Sequence, residues 1–468
     1  MERKYKKLFS NTIIFSIGTF SSKILVFLLV PFYTHFLTDA EYGTVDLITQ
    51  TANLLIPLVS MGIASAVLRF GLDKAYNKKA IFTTGVATIL TGFLIFLCFI
   101  PLMMKIKIIN KYTLLLYIYV FVGSFRLLCT DFVRALYARL YAFDGVLCTI
   151  MVILFNILFL MVFKLGIVGY VLATICSDLC SVLFLTLIAG LHRYVDFSRV
   201  KAYVLFPMLR YALPLIPANI FWWITHVSDR YMVTYMIDES ANGMYALAYK
   251  IPTMISIVST IFIEAWQLSA VVEKNDPKLP KFFTDVFSSY QSLLFFGGSG
   301  CIMLCKVMIY LLSTGKPSFY IAWKYVPILV MATCFSCFVT FLGSVYVVEK
   351  KSFISFLTTF LGAVSNVALN FLMVPKLGVN GAALATMFAY IIVYVIRAIS
   401  TKRLIPMQFK AGKTLLNILL LGGQAAVMIY EIPGCYFISA GIFLVVTVVN
   451  LRGLFHTVFH LLQKRKRS

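Results

Sequence analysis

The sequence predicts an all-α polytopic membrane protein of about fourteen transmembrane helices, and three observations carry that prediction. Of 468 residues, 61% are hydrophobic and 13% charged, roughly half the charged share of a soluble domain. Mean hydropathy is +0.93. Apolar stretches long enough to cross a bilayer, about 20 residues each, recur along the whole chain between short polar loops. This composition excludes a soluble globular enzyme, a disordered chain and a nucleic-acid-binding module.

The basic N-terminus, MERKYKKL, runs into the first apolar stretch without a small-residue cleavage site, so residues 9 to 35 read as an uncleaved span. The remaining spans are predicted over 43 to 68, 80 to 103, 112 to 137, 145 to 164, 167 to 190, 206 to 237, 243 to 272, 284 to 313, 322 to 348, 352 to 374, 379 to 400, 412 to 431 and 434 to 461. Loops this short leave no room for an extramembrane catalytic domain. Function is expected between the helices.

Lys and Arg number 41 against 18 Asp and Glu, a formal charge of +23. With the N-terminus inside, Lys78, Lys79, Arg134, Arg139, Arg193, Arg199, Lys201, Arg210, Lys350, Lys351, Lys402 and Arg403 all fall on the side of the basic tail. The other side carries chiefly Lys105, Lys107, Lys111, Lys164, Lys316, Lys324 and Lys376. That bias follows the positive-inside rule and puts both termini in the cytoplasm. Most of the charge is therefore a topology signal and requires no nucleic acid.

Ten cysteines lie in apolar runs without paired spacing. Cys334 and Cys337 form a CxxC inside a helical, apolar stretch with no further ligands nearby, so they read as packing residues and no metal or cofactor is expected. His456 and His460 lack a third ligand, and Gly297, Gly298 and Gly300 fit close helix packing. No Walker lysine loop occurs.

Residues 159 to 174, FLMVFKLGIVGYVLAT, match residues 371 to 386, FLMVPKLGVNGAALAT, at eleven of sixteen positions. A weaker echo pairs LTDAEYGTVDL from 37 with IDESANGMYAL from 237. Each joins elements six spans apart, and an even number of spans preserves orientation. The expectation is two parallel six-helix lobes around a central cavity, residues 1–200 and 201–405, with two additional helices and a basic tail at 406–468.

WWITHVSDRYMVTYMIDESANGMYALAYKIPTMI from 222, EAWQLSA from 264, FSSKILVFLLVPFYTHFLTDAEYG from 20 and AFDGVLCTIMVILFNILFLMVFKLGIVGYVLA from 142 resemble bacterial polysaccharide and oligosaccharide flippases of the multidrug, oligosaccharidyl-lipid and polysaccharide exporter superfamily. The resemblance covers essentially the whole chain. It implies a protein of the bacterial cytoplasmic membrane that moves an oligosaccharide on a polyprenyl diphosphate from the inner to the outer leaflet. Such a protein is expected to act as a monomer among membrane lipids, coupled to a gradient of H+ or Na+, and to be no enzyme.

Ionisable groups inside spans are costly and usually face a bundle interior. Lys23, mid-span, faces either the cavity or a buried partner such as Asp46. Arg69 fits a membrane-surface anchor. Asp131 and Arg134 can pair at i, i+3, whereas Arg126 has no acid one turn away and is a substrate candidate. Asp178 either neutralises a cation or carries protons. Asn219, Trp223, His226 and Arg230 share one helical face. Such a stripe suits a sugar diphosphate, since rings cover sugar faces, amides meet hydroxyls and guanidinium grips phosphate. The alternative has Trp222 and Trp223 at the interface and Arg230 paired with Asp229. Lys250 is a further anion candidate, and Glu264 is a coupling candidate or half of an interhelical salt bridge. Prolines 214, 217, 57, 252 and 327 mark bends. Competing readings are an organic-cation or multidrug antiporter, which wants acids in the cavity, a carrier of lipid-linked peptidoglycan precursor, and a membrane glycan polymerase or acyltransferase, which wants a large outer loop or a catalytic acid cluster.

Overall fold

Thr38 shows how local chemistry sets the helix boundaries. The computed structural model describes residues 25, 27–73, 76–106, 110–272 and 279–466, without the side chains of 138, 264, 265, 268, 269, 271, 272 and 451–466. Helix α1 (Val30–Phe36) ends just before Thr38. The Thr38 hydroxyl accepts the Glu41 N–H at 3.2 Å while the Glu41 carboxylate accepts the Thr38 N–H at 2.9 Å. This reciprocal cap starts α2 (Asp39–Val59).

Chain contacts divide the protein into two compact units, Met1–Trp223 and Ile224–Ser468. In the first, α2 meets α3 (Ile63–Gly71) at a 59° bend. Met61 and Gly62 both take positive φ there, and a Cβ on Gly62 would lie 3.3 Å from the Ala212 carbonyl. The expected span from 43 to 68 is thus a broken one. Helices α4 (Lys78–Leu97), α5 (Thr113–Leu136), α6 (Ala138–Asn156) and α7 (Gly166–Ile188) follow, then α8 (Ala202–Ala212) and α9 (Leu215–Met236), inside which the division falls. One core joins Val67, Phe82, Leu128, Phe132 and Met208. A second is built on Ile48, Leu116 and Val171, with Phe96 stacked on Tyr117 at 4.1 Å.

In the second unit, Asp238 repeats the role of Thr38, accepting the Ala241 N–H at 2.7 Å at the start of α10 (Glu239–Val272). Helices α11 (Leu279–Met303) and α12 (Cys305–Leu312) meet at 67°, so the expected span from 284 to 313 is also broken. Helix α13 (Val326–Val348) is apolar all round and almost wholly buried, as a central helix must be. Helices α14 (Ser352–Leu377) and α15 (Val379–Leu404) follow, and α16 (Ala411–Ile429) and α17 (Cys435–Lys466) close the chain. Gln424 of α16 donates to Ser299 of α11 and to Ser439 of α17 at 3.0 to 3.2 Å, and Asn417 pairs with Asn450. Polar side chains at such interfaces bind apolar helices together where burial of apolar surface cannot.

The long repeat forms the same device twice. In the first unit it is a π-helical turn (Ile157–Val162), Lys164 and Gly166 at positive φ, and the start of α7. In the second it is the end of α14, Gly378 at positive φ and the start of α15. Helix packing repeats as well, with α2, α5 and α6 on α7 in the first unit and α10, α13 and α14 on α15 in the second.

Among the described residues ten helices are long and apolar enough to cross a membrane, and the two bent pairs raise the number to twelve. Cys435–Asn450 is a shorter apolar helix, and most of the expected first span lies outside the described residues. The architecture is a multi-pass helical membrane protein, without the count of fourteen being reached.

Candidate functional site

In the first unit, Arg126 of α5 meets Asp178 of α7 at 2.8 Å. The sequence offered Arg126 no acid within one helical turn, and its partner comes instead from another helix. The expected substrate cation and the expected coupling acid are one ion pair. A second buried carboxylate, Asp144 of α6, accepts a hydrogen bond from Ser181 at 2.7 Å. Trp223 donates its indole N–H to the Gln50 carbonyl at 2.9 Å, whereas Asn219 is exposed and Trp222 keeps 59% of its surface uncovered.

Replacing Arg126 by Gln leaves the buried Asp178 charge without its cation, which costs about 3–5 kcal/mol. Thermal denaturation of the purified protein should rank wild type above R126Q/D178N and the double variant above R126Q. An R126Q protein as stable as wild type would show that the pair holds nothing together.

The second unit holds the denser arrangement. Asp229 of α9 is completely buried. Its Oδ2 accepts hydroxyl hydrogens from Tyr245 at 2.6 Å, Thr386 at 3.2 Å and Tyr249 at 3.3 Å, and its Oδ1 accepts the Arg230 N–H at 2.9 Å. The Arg230 guanidinium lies 4.9 Å from the centre of the Tyr249 ring, a cation–π distance. One turn earlier, His226 hydrogen-bonds the Tyr390 hydroxyl at 2.8 Å. Asn366 of α14 donates to Thr386 at 3.1 Å and accepts from Ser228 at 2.9 Å and from Asn370 at 3.1 Å. The Asn370 side-chain oxygen, buried beside them, has no hydrogen-bond donor.

These are oxygen ligands around one carboxylate, a set that can exchange a proton or a monovalent cation. Among the described residues no group of three or more His, Cys, Asp or Glu could hold a metal ion. Lys250 is half-buried on α10. Lys23 and the Glu264 side chain lie outside the described residues.

Two features escaped sequence reasoning. Asp229 was weighed only as a neighbour of Arg230, although tyrosines at i, i+4 in YALAY and the threonine closing the second repeat were visible signals. Arg397 of α15 is buried, donating to Thr358 at 3.0 Å, Thr359 at 3.1 Å and the Val339 carbonyl at 2.8 Å. No carboxylate pairs with it among the described residues. A lone arginine within VYVIRAIS was the signal for it.

Comparison with known proteins places this geometry. Residues 8–266 match the profile of a family described as polysaccharide biosynthesis protein. No curated protein matches the sequence. The solved structure of the lipid II flippase MurJ in an inward closed conformation is similar at a TM-score of 0.70 and 16% identity, covering 96% of this chain and 100% of that one. An inward-facing multidrug resistance MATE transporter of the MOP superfamily gives a TM-score of 0.67 at 16% identity, over 83% of this chain and 95% of that one. A mutant of the Vibrio cholerae MATE transporter VcmN gives 0.58 at 16% identity, over 85% and 96%. At such identities the likeness establishes the fold, and the match over more than half of the sequence establishes the family: the chain belongs to the polysaccharide biosynthesis protein family.

Proposed function

We propose that the protein is a flippase that carries a polyprenyl-diphosphate-linked oligosaccharide from the inner to the outer leaflet by alternating access, coupled to a proton or a monovalent cation at Asp229. The observation that carries the reading is the buried carboxylate of Asp229, set in a membrane-spanning helix among hydroxyl and amide oxygens. Intramembrane carboxylates of this kind are costly and mark ion pathways. An anionic headgroup is supported by the cationic side chains on two spans, Arg230 and Lys250, which can compensate diphosphate charge. Lys23, Asn219 and Trp223 remain proposed substrate contacts and Glu264 a proposed second coupling residue. Arg126 and Asp178 are reassigned to each other.

The buried acids Asp144, Asp178 and Asp229 favour one alternative, an antiporter of organic cations. Reconstitution in vesicles separates the two readings. Leaflet exchange of a lipid-linked oligosaccharide should exceed that of empty vesicles and respond to an imposed ion gradient. Exchange at the empty-vesicle rate under every gradient, together with gradient-driven uptake of an organic cation, would overturn the flippase reading. Competition by lipid-linked peptidoglycan precursor measures how far the headgroup is discriminated.

A further inference from the structure

The segment between α7 and α9 is built like a membrane-surface element rather than a simple connector. Gly190, at φ 64, ends α7 and turns the chain into two short 3-10 turns, Leu191–Tyr194 and Phe197–Arg199, that lead into α8. Its underside is fixed. The Thr83 hydroxyl of α4 donates to the Tyr194 carbonyl at 2.8 Å and accepts the Asp196 N–H at 2.9 Å. Leu191, Val204, Met208 and Ala212 are buried in the same core as α4 and α5.

The other face is uncovered, and its composition is specific. Phe197, Tyr203 and Phe206 keep 56%, 74% and 67% of their surface exposed. Arg193, Lys201 and Arg210 are exposed beside them. Tyr203, Phe206 and Arg210 fall at i, i+3 and i+7, one face of α8. Arg199 is already engaged, paired with Asp196 at 2.8 Å. The Asp196 carboxyl is held below the ordinary carboxylate range by the Ser198 hydroxyl and then by Arg199, so it stays ionised at neutral pH and keeps that pair. Among the described residues Arg193, Lys201 and Arg210 have no carboxylate within ion-pair distance.

Length places the segment in depth. The apolar run Ala202–Met236 has 35 residues, about 52 Å of helix at 1.5 Å per residue, whereas a hydrocarbon core is about 30 Å thick. The excess, about 22 Å, takes in the 11 residues of α8, about 16 Å of helix, and the turn that follows it. With α9 in the core, α8 extends through the headgroup layer, where aromatic rings and long basic side chains are both stable.

We propose that residues 190–212 form a docking shelf for anionic phospholipid headgroups, with Arg193, Lys201 and Arg210 pairing with phosphates and Phe197, Tyr203 and Phe206 seated among the upper acyl carbons. The shelf would fasten the first unit to the bilayer face where the chain's cations concentrate. It does not depend on the identity of the transported molecule.

The test uses the full-length protein in nanodiscs of phosphatidylcholine alone or with phosphatidylglycerol, followed by hydrogen exchange. Phosphatidylglycerol should slow amide exchange over 190–212 by at least about tenfold, since each basic residue near an anionic surface contributes several-fold in affinity. The effect should vanish in R193Q/K201Q/R210Q, which spares the Arg199–Asp196 pair. It should persist in K350Q/K351Q/K402Q, which removes as much charge from the second unit. Equal exchange in the two lipids, or protection that survives the first triple variant, overturns the proposal. If that variant does not fold, wild type decides: protection should fade between about 0.01 M and about 1 M salt, as the Debye length falls from about 30 Å to about 3 Å. Protection independent of salt overturns it equally.

Discussion

Replacing Asp229 by Asn should leave a folded protein in which oligosaccharide-lipid exchange falls about a hundredfold and no longer responds to an ion gradient. The two side chains are nearly isosteric, so the amide can stay in the site, and the hydroxyls of Tyr245, Tyr249 and Thr386 can rotate to meet it. What disappears is the negative charge that these hydroxyls and the Arg230 backbone amide solvate. Hydrogen bonds to a charged group contribute about 1.5–3 kcal/mol each. A loss of about 3 kcal/mol confined to the conformation that needs the charge slows the cycle about a hundredfold. Asp229→Ala is the informative contrast. It leaves buried hydroxyls without an acceptor, at about 1–3 kcal/mol for each group orphaned. That variant should show a lower yield of folded protein as well as lost transport. Exchange by D229N at the wild-type rate, with the wild-type gradient response, would remove Asp229 from the coupling step and leave it a structural acid.

The distinction between what was legible and what was not follows the range of the interactions. Composition, topology bias and the sixteen-residue repeat are local or statistical, and they carried the helical membrane fold, while the family resemblance rested on longer stretches such as residues 222–256. The caps at Thr38 and Asp238 sit in the weaker echo at equivalent places, so the echo reflects a repeated helix start. Pairings across the fold were invisible. Arg126 and Asp178 are 52 residues apart, and Asp229 reaches Thr386 across 157. No spacing rule connects such positions. Of the two bends, the first lies about one turn beyond Pro57, where a bend was expected, and hydropathy marks neither. Both sides of Gly62 and of Leu304 are equally apolar, so hydropathy runs through them unchanged while the backbone turns by 59° and 67°. Asn219, Trp223, His226 and Arg230 were expected to share one helical face. The chain division after Trp223 assigns the first two to one unit and the last two to the other, which helical periodicity cannot reveal.

Gly381→Ala should be the most damaging of the single-methyl additions within the repeat. A Cβ on Gly381 would lie 2.3 Å from the Met373 carbonyl oxygen, 2.5 Å from its carbon and 2.9 Å from the Val374 nitrogen. All three are backbone atoms of α14, so no side chain can swing away and the two helices must separate. Overpacking of this kind costs about 1–3 kcal/mol or more. At the matching position Gly169, a Cβ would meet the Phe159 carbonyl oxygen at 3.0 Å, a contact that a small shift relieves. Gly423→Ala in α16 is the control, because nothing lies within 4 Å of its Cβ and alanine is favoured over glycine in a helix by up to about 1 kcal/mol. Thermal stability should therefore rank G423A at or above wild type, G169A below it and G381A lowest. The site should feel the third substitution more than the second. Gly381 opens the helix turn that presents Thr386 to Asp229, and it packs on the helix that carries Asn366 and Asn370. A separation of α14 from α15 loosens the oxygen ligands around the carboxylate, so G381A should lose gradient-coupled exchange even in the fraction that folds. Equal stability of G381A and G423A would mean that the close approach of α14 and α15 at the repeat does not hold the second unit together.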